Sequence, residues 1–172
     1  MAEDNRIVLF DFALPGAASE WQAVNDGVMG GVSEGTFEIT DRKTLAFFGT
    51  LSLENNGGFA SVRTKAKKLG LESGDALRVR VRGDGRRYSL NLYVPRPQVA
   101  FSYRATVTTT TGEWVEITLP LDSFEATSFG RPVDAGPVKP EEVSALGFMV
   151  SDRQAGPFRL EIESIQVVRA GA

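Results

Sequence analysis

The sequence predicts an all-β fold, an antiparallel jelly-roll-like β-sandwich, and three observations predict it. Apolar residues recur with a period of two almost everywhere along the chain. No segment carries a long apolar stripe at helical spacing. Gly, Pro, Asn and Asp punctuate the alternating runs at short intervals, which is turn chemistry. Such runs are half-buried strands, and about nine or ten of them need two packed layers to bury their apolar faces. With 172 residues, the chain is expected to form one domain over positions 1–172, with a full core and no need of covalent staples.

The elements follow in order. Ile7 to Phe12 is an apolar run expected as the first strand, and Thr36 to Thr40, Thr44 to Leu53 and Phe59 to Thr64 are expected to follow. Leu77, Val79 and Val81 alternate with Arg78, Arg80 and Arg82, and Leu90, Leu92 and Val94 with Ser89, Asn91 and Tyr93. The G-D-G-R segment between them, Gly83 to Arg86, reads as a hairpin turn. It is not a phosphate-binding P-loop, because no GK[ST] follows. Phe101, Tyr103, Ala105 and Val107 alternate with Ser102, Arg104, Thr106 and Thr108, and Val115, Ile117 and Leu119 with Trp114, Glu116 and Thr118. Short helical turns are expected from Asp122 (DSFEAT) and from Pro140, since proline suits a first helical position. Ser128 to Lys139 is the longest irregular stretch and belongs on the surface. Ser144 to Val150 is a further strand. Phe158, Leu160 and Ile162 then give way to Ile165 and Val167, a slip of phase near Glu163 and Ser164 that a β-bulge would produce.

Two glycine-rich stretches interrupt this pattern, WQAVNDGVMGGVSEG at positions 21–35 and NNGGFAS at 55–61. Each sets a bulky apolar residue (Trp21, Met29, Phe59) among small and polar ones, which a solvated linker would not need. Both are expected to be ordered loops, with Trp21 or Met29 packed inward and Gly30 or Gly31 at a backbone angle disfavoured for other residues. They either fix the corners of the sandwich or form a binding surface between them.

Composition excludes several chemistries. The chain has no cysteine and no histidine, so disulfides, thiolate nucleophiles, Cys- or His-based metal sites and Ser-His-Asp triads are ruled out within it. A metal would need oxygen ligands, and Asp11, Asp26 and Glu161 are the candidates for calcium. Their spacing singles out no site, so neither metal nor cofactor is expected. No apolar run approaches the roughly 18 residues of a membrane-spanning helix. The N-terminus is acidic, the opposite of a signal or transit peptide, so a cytoplasmic location without membrane insertion is expected. A net charge of −3 argues against nucleic acid as partner. The charge is uneven, however: Ala76 to Gly112 holds seven arginines against the single acid Asp84.

A set of motifs then appears in order: W-x3-NDGVMGG-x-S (Trp21 to Ser33), F-x-G-x-LSLENNGGFASVR (Phe47 to Arg63), V-RGDGR with Tyr88 following, G-x-W-x-x-I-x-L-P (Gly112 to Pro120) and GF-x-x-SDRQAG continuing to Ile165. Together they resemble the complex I intermediate-associated protein 30 family over nearly the whole chain. The resemblance implies a galactose-binding-like β-sandwich, similar to some carbohydrate-binding modules. It also implies a cofactor-free accessory role, since mitochondrial members help assemble respiratory complex I. Without a transit peptide, this chain looks like a stand-alone bacterial-type homologue.

Two groups of residues are candidates for binding. Arg78, Arg80 and Arg82 share one strand face, roughly 7 Å apart, and Arg104, Asn91, Tyr93 and Ser102 have the same outward parity. If these strands are neighbours, they make one cationic face for an anionic or polyhydroxylated ligand or an acidic protein. Otherwise the arginines form a solvated face balanced by acids such as Glu116 and Glu161. Tyr93 and Trp114 are placed to stack on a sugar or an arginine. The second group is the loop set: Trp21, Asn25, Asp26, Met29, Asn55, Asn56, Phe59 and Arg63, with Asp152, Arg153 and Gln154 of the SDRQAG loop. Asp152 also suits a turn, accepting from backbone amides. The expected function is non-catalytic binding that assists assembly of a protein complex, with respiratory or other membrane-complex subunits as partners. A carbohydrate-binding module is the alternative. A carboxylate-based enzyme using Asp26 and Asp152 comes third.

Overall fold

The computed structural model describes residues 6–25, 27, 31–56, 58–95, 101–129 and 131–169. The strands are β1 (Arg6–Phe10), β2 (Trp21–Asn25), β3 (Glu34–Ile39), β4 (Leu45–Leu51), β5 (Ala60–Thr64), β6 (Ala76–Arg82) and β7 (Arg87–Tyr93). They continue as β8 (Phe101–Thr108), β9 (Trp114–Pro120), β10 (Glu125–Ser128), β11 (Arg131–Pro132), β12 (Ala145–Val150) and β13 (Gly156–Val168). Two antiparallel sheets result. Sheet A runs β3-β4-β13-β6-β9, with β1 also on β13, and sheet B runs β11-β10-β8-β7-β12-β5-β2.

The alternating residues meet between the sheets. Leu77, Val79, Val81, Leu160, Ile162 and Ile165 of sheet A are fully buried, as are Val62, Leu90, Leu92, Leu146 and Phe148 of sheet B. Strand β13 organises sheet A, pairing with β6 along one edge and with β4 and then β1 along the other. Its register shifts between Ile162 and Ser164, the bulge that the slip of phase predicts. The extra residue turns Ile165 and Val167 back toward the core.

Several expectations change. Trp21 to Asn25 is a paired edge strand, not a loop: it lies against β5 in sheet B. Trp21 is buried against the Phe10 ring at 5.3 Å and the Phe12 ring at 5.8 Å. Among the described residues of these stretches, positive φ is found at Asn55 (φ 58°) and at Gly58 (φ 134°). Asp26, Met29 and Gly30 lie outside the described residues, as do Arg96 and the side chain of Asn56. The DSFEAT segment forms a single 3₁₀ turn, Leu121–Ser123, and then enters β10, because Phe124 and Ala126 both face the core. Pro140–Glu142 is likewise one 3₁₀ turn with proline at its start.

The G-D-G-R segment is the largest correction. β6 and β7 do not pair; they belong to different sheets, so Gly83–Arg86 is a corner between layers rather than a hairpin turn. Asp84 holds it by accepting from the Tyr88 hydroxyl at 3.0 Å, the Arg86 amide at 3.1 Å and the Arg159 amide of β13 at 2.8 Å. Thr109 closes the other side, donating to the Arg86 carbonyl at 2.6 Å and accepting from the Gly85 amide at 3.0 Å. A Cβ on Gly83 would stand 2.5 Å from the Thr109 side chain.

Candidate functional site

The topology separates the arginines that parity alone groups together. Arg78, Arg80 and Arg82 project from the outer face of sheet A, whereas Arg63, Tyr93 and Arg104 project from the outer face of sheet B. These two sets therefore do not share one face.

The sheet A arginines are occupied. Arg82 pairs with Glu161 at 2.7 Å and Arg80 with Glu163 at 3.0 Å. Arg78 donates to the Thr118 hydroxyl at 3.1 Å. The Trp114 ring lies under both Arg80 (5.4 Å) and Arg82 (4.9 Å). Glu161 is itself buried, and its second oxygen accepts from the Thr44 hydroxyl at 2.6 Å. Burial acts to raise its pKa, but the Thr44 and Arg82 hydrogen bonds outweigh it and hold the carboxyl below its ordinary value. Of the three acids considered for calcium, Glu161 is therefore engaged elsewhere, Asp11 caps its own turn through the Ala13 amide, and Asp26 is outside the described residues. Among the described residues no three acids group to hold a metal.

Sheet B differs in kind. One cross-strand row reads Gln22, Arg63, Gly147, Asn91, Arg104, Glu125 from β2 through to β10. Residues two apart on one strand share a face, so Ser61 flanks Arg63, Ser102 flanks Arg104, and Ser89 and Tyr93 flank Asn91. Ser61 donates to the Val24 carbonyl at 2.6 Å, and its oxygen accepts from Arg63 Nε at 3.1 Å. Ser102 accepts from Arg104 Nε at 3.3 Å. Ser89 donates to Asn91 Oδ1 at 2.7 Å, which turns Asn91 Nδ2 onto the Tyr93 oxygen at 3.2 Å. Arg63 reaches across the sheet to lie 4.6 Å over the Tyr93 ring. Gly147 makes room for it: a Cβ there would come 3.1 Å from Arg63 Cγ and 2.4 Å from the Val62 carbonyl oxygen.

Among the described residues, neither Arg63 nor Arg104 has an acid within salt-bridge distance, although Glu125 stands opposite Arg104 in register. Burial draws the Arg104 guanidinium below its ordinary pKa; Tyr93 opposes this and the like charge of Arg63 adds to it. Burial raises the Tyr93 phenol, against the pull of Arg63, Asn91 and Arg104.

A pocket of about 400 Å³ continues this face, where Ser89, Arg104 and Thr106 meet Glu125, Asp152 and Arg153. The loop set and sheet set thus meet at Arg104. Asp152 Oδ1 accepts from Arg86 Nη1 at 3.1 Å and from the Gln154 amide at 3.2 Å, and its other oxygen is buried without a partner. The Asp152 side chain is 2% exposed and that of Arg86 12%, so this pair anchors the loop while Arg153 (φ 62°) and Gln154 are exposed. Asn25, Ala60, Val150 and Tyr88 form one row at this end of sheet B. Asn25 there donates to the Gly35 carbonyl at 3.0 Å, leaving its own buried oxygen unpartnered. Asn55 is exposed and Phe59 half-buried. The sequence singled out Ser102 but not Gly147, Ser61, Arg86 or Met149, whose sulfur lies 3.8 Å from Asn91 Nδ2. The repeated Ser-x-Arg of Ser61–Arg63 and Ser102–Arg104 was the available signal.

This two-sheet sandwich has the fold of carbohydrate-binding modules. It is similar to the family 11 module of the cellulosomal cellulase Lic26A-Cel5E of Clostridium thermocellum, with a TM-score of 0.71 at 14% identity over 96% of this chain and 95% of that one. A family 11 module of the same organism, in complex with a β-1,3-1,4-mixed-linked tetrasaccharide, gives 0.70 at 14% identity over 96% of both chains. At that identity the likeness is one of fold. The sequence places the chain more narrowly: the complex I intermediate-associated protein 30 family matches residues 10–162, and the chain belongs to it. It is 28% identical to the mitochondrial complex I intermediate-associated protein 30 of Mus musculus over 93% of this chain and 55% of that protein. The Drosophila melanogaster protein of the same name is 28% identical over 92% of this chain and 61% of its own length. The chain thus spans little more than half the length of these curated relatives. Among the described residues, no helix is long and apolar enough to cross a membrane.

Proposed function

We propose that this chain acts as one non-catalytic binding domain, assists assembly of a protein complex, and holds its partner on the outer face of sheet B. The observation that carries this is the contrast in satisfaction: Arg63 and Arg104 are half-buried on that face with no acid among the described residues within salt-bridge distance, while the sheet A arginines already have partners. Membership of a family whose curated relatives are named for a complex I intermediate supports a protein partner, with subunits of a respiratory or other membrane complex as the class to seek. The test is a pull-down from native extract with three variants: Arg63→Gln/Arg104→Gln, Arg78→Gln/Arg80→Gln/Arg82→Gln, and the loop set Asn25→Ala/Asn55→Ala/Asp152→Ala. Loss of one partner with the first variant and retention with the second is expected. Equal capture by all three and by the unaltered chain would move the contact elsewhere. The relatives are mitochondrial by name, and fractionation of the native host tests the cytoplasmic expectation for this chain.

A carbohydrate-binding reading is favoured by one observation, the fold shared with a module solved on a tetrasaccharide. Binding to a panel of neutral glycans, lost on changing Tyr93 to Ala, would support it over the assembly reading.

A further inference from the structure

We infer that Arg63, Tyr93 and Arg104 form a seat for the carboxylates of an acidic segment of a protein partner. This rests on the reading of sheet B as the partner face and names the group it takes. Among the described residues each guanidinium hydrogen-bonds only through its Nε–H, on Ser61 and on Ser102, and Arg63 also lies over the Tyr93 ring. The serines lie at the same spacing before each arginine, so both planar forks are held by their inner edge with their Nη groups unspent. Tyr93 receives the Asn91 amide on its oxygen, which leaves its own O–H to donate outward.

All of these groups are donors, two carry full charge, and no acid among the described residues neutralises them. A half-buried guanidinium without a counter-charge gains most from an oxyanion, and its fork matches the two oxygens of a carboxylate. Neutral sugars offer no such compensation. The two arginines stand three strands apart in one row, about 14 Å between their backbones. That span suits two acidic side chains about four residues apart on one face of an extended peptide better than one small anion. Gly147 keeps the ground between them open for Arg63 to lie over Tyr93.

The test uses fluorescein-labelled hexaglutamate, followed by fluorescence anisotropy with the full chain. Saturable binding is expected, with no binding of labelled hexaglutamine. Arg63→Gln and Arg104→Gln should each weaken it by about tenfold or more, while Arg78→Gln stays within about twofold. Arg63→Lys, which keeps charge but loses the fork, should recover part of the loss. Added salt should weaken binding throughout. Should the glutamine variants fail to fold, NMR of the unaltered protein replaces them, with the Arg63 and Arg104 Nε–H resonances expected to shift on titration. Absence of hexaglutamate binding, equal binding by the Arg63 and Arg104 variants, or unmoved Nε–H resonances overturns the seat. So does tighter binding of inorganic phosphate or of an oligogalacturonate than of hexaglutamate, since either changes the source of the anion. A native partner captured through sheet B but indifferent to hexaglutamate competition would leave the assembly reading standing and this inference rejected.

Discussion

The two outer faces of the sandwich both carry arginines and use them in opposite ways. On sheet A, Arg80 and Arg82 bracket Trp114 and pair with Glu163 and Glu161, so the charge is consumed by the fold. On sheet B, Arg63 and Arg104 are held by serines, which orient a guanidinium without neutralising it. A count of basic residues would favour sheet A as the binding face, and a count of unspent donors favours sheet B. The second count is the one tied to binding free energy, because a charge already paired must be unpaired before it can bind anything else.

The contrast can be broken at several points. The largest effect is expected where the sheets share their core: Leu160→Ala on β13 should cost about 2–5 kcal/mol in denaturant melts. A loss under about 1 kcal/mol would mean that β13 does not hold the layers together. Next comes Arg82→Gln, which strands the buried Glu161 carboxylate with only Thr44 and should cost about 1–3 kcal/mol. Arg80→Gln, whose partner is exposed, should stay within about 0.5 kcal/mol. Acid sharpens the comparison. The Glu161 pKa is lowered in the folded state, so its contribution is present above the unfolded value of about 4.3 and is lost as pH falls through the folded one. The advantage of the unaltered chain over Arg82→Gln should therefore shrink in melts taken below about pH 4. The smallest effect is on sheet B: Arg63→Gln and Arg104→Gln should each change stability by no more than about 0.5 kcal/mol. A large destabilisation there would make those arginines structural and erase the distinction between the faces.

Most strands were legible because period two is a local property, and the bulge in β13 was legible because a slip of phase is local too. Sheet membership was not. Parity says that Arg78 and Asn91 both point outward, but outward from different layers, and only the Gly83–Arg86 corner decides that. Its pinning by Thr109 and by the backbone of Arg159 comes from distant segments. Trp21 packs inward as expected, but its secondary structure misled for a related reason. Its glycine-rich neighbourhood reads as loop, while pairing with β5 and the Phe10 and Phe12 rings make it strand and core. Arg63 was found through a family motif, but the role of Gly147 lies in an absence of side chain that matters only across a strand pair. Of the loop set, Asn25 and Asp152 leave sheet B at the same end, and Asp152 lines one pocket with Arg104.

The order of the strands has a further consequence, for how the chain comes to be folded. β12 is the partner that joins β5 to β7, and β13 is the partner that joins β4 to β6. Both lie within residues 145–168, so a nascent chain ending before them holds sheet B as two unjoined fragments and sheet A as two strand pairs with β1 alone, all with open edges. No fragment has a full set of hydrogen bonds or a closed core. Contacts of such long sequence separation form slowly, and unpaired edges invite association in the meantime. A domain proposed to help another complex assemble is therefore, on the ribosome, a late assembler itself.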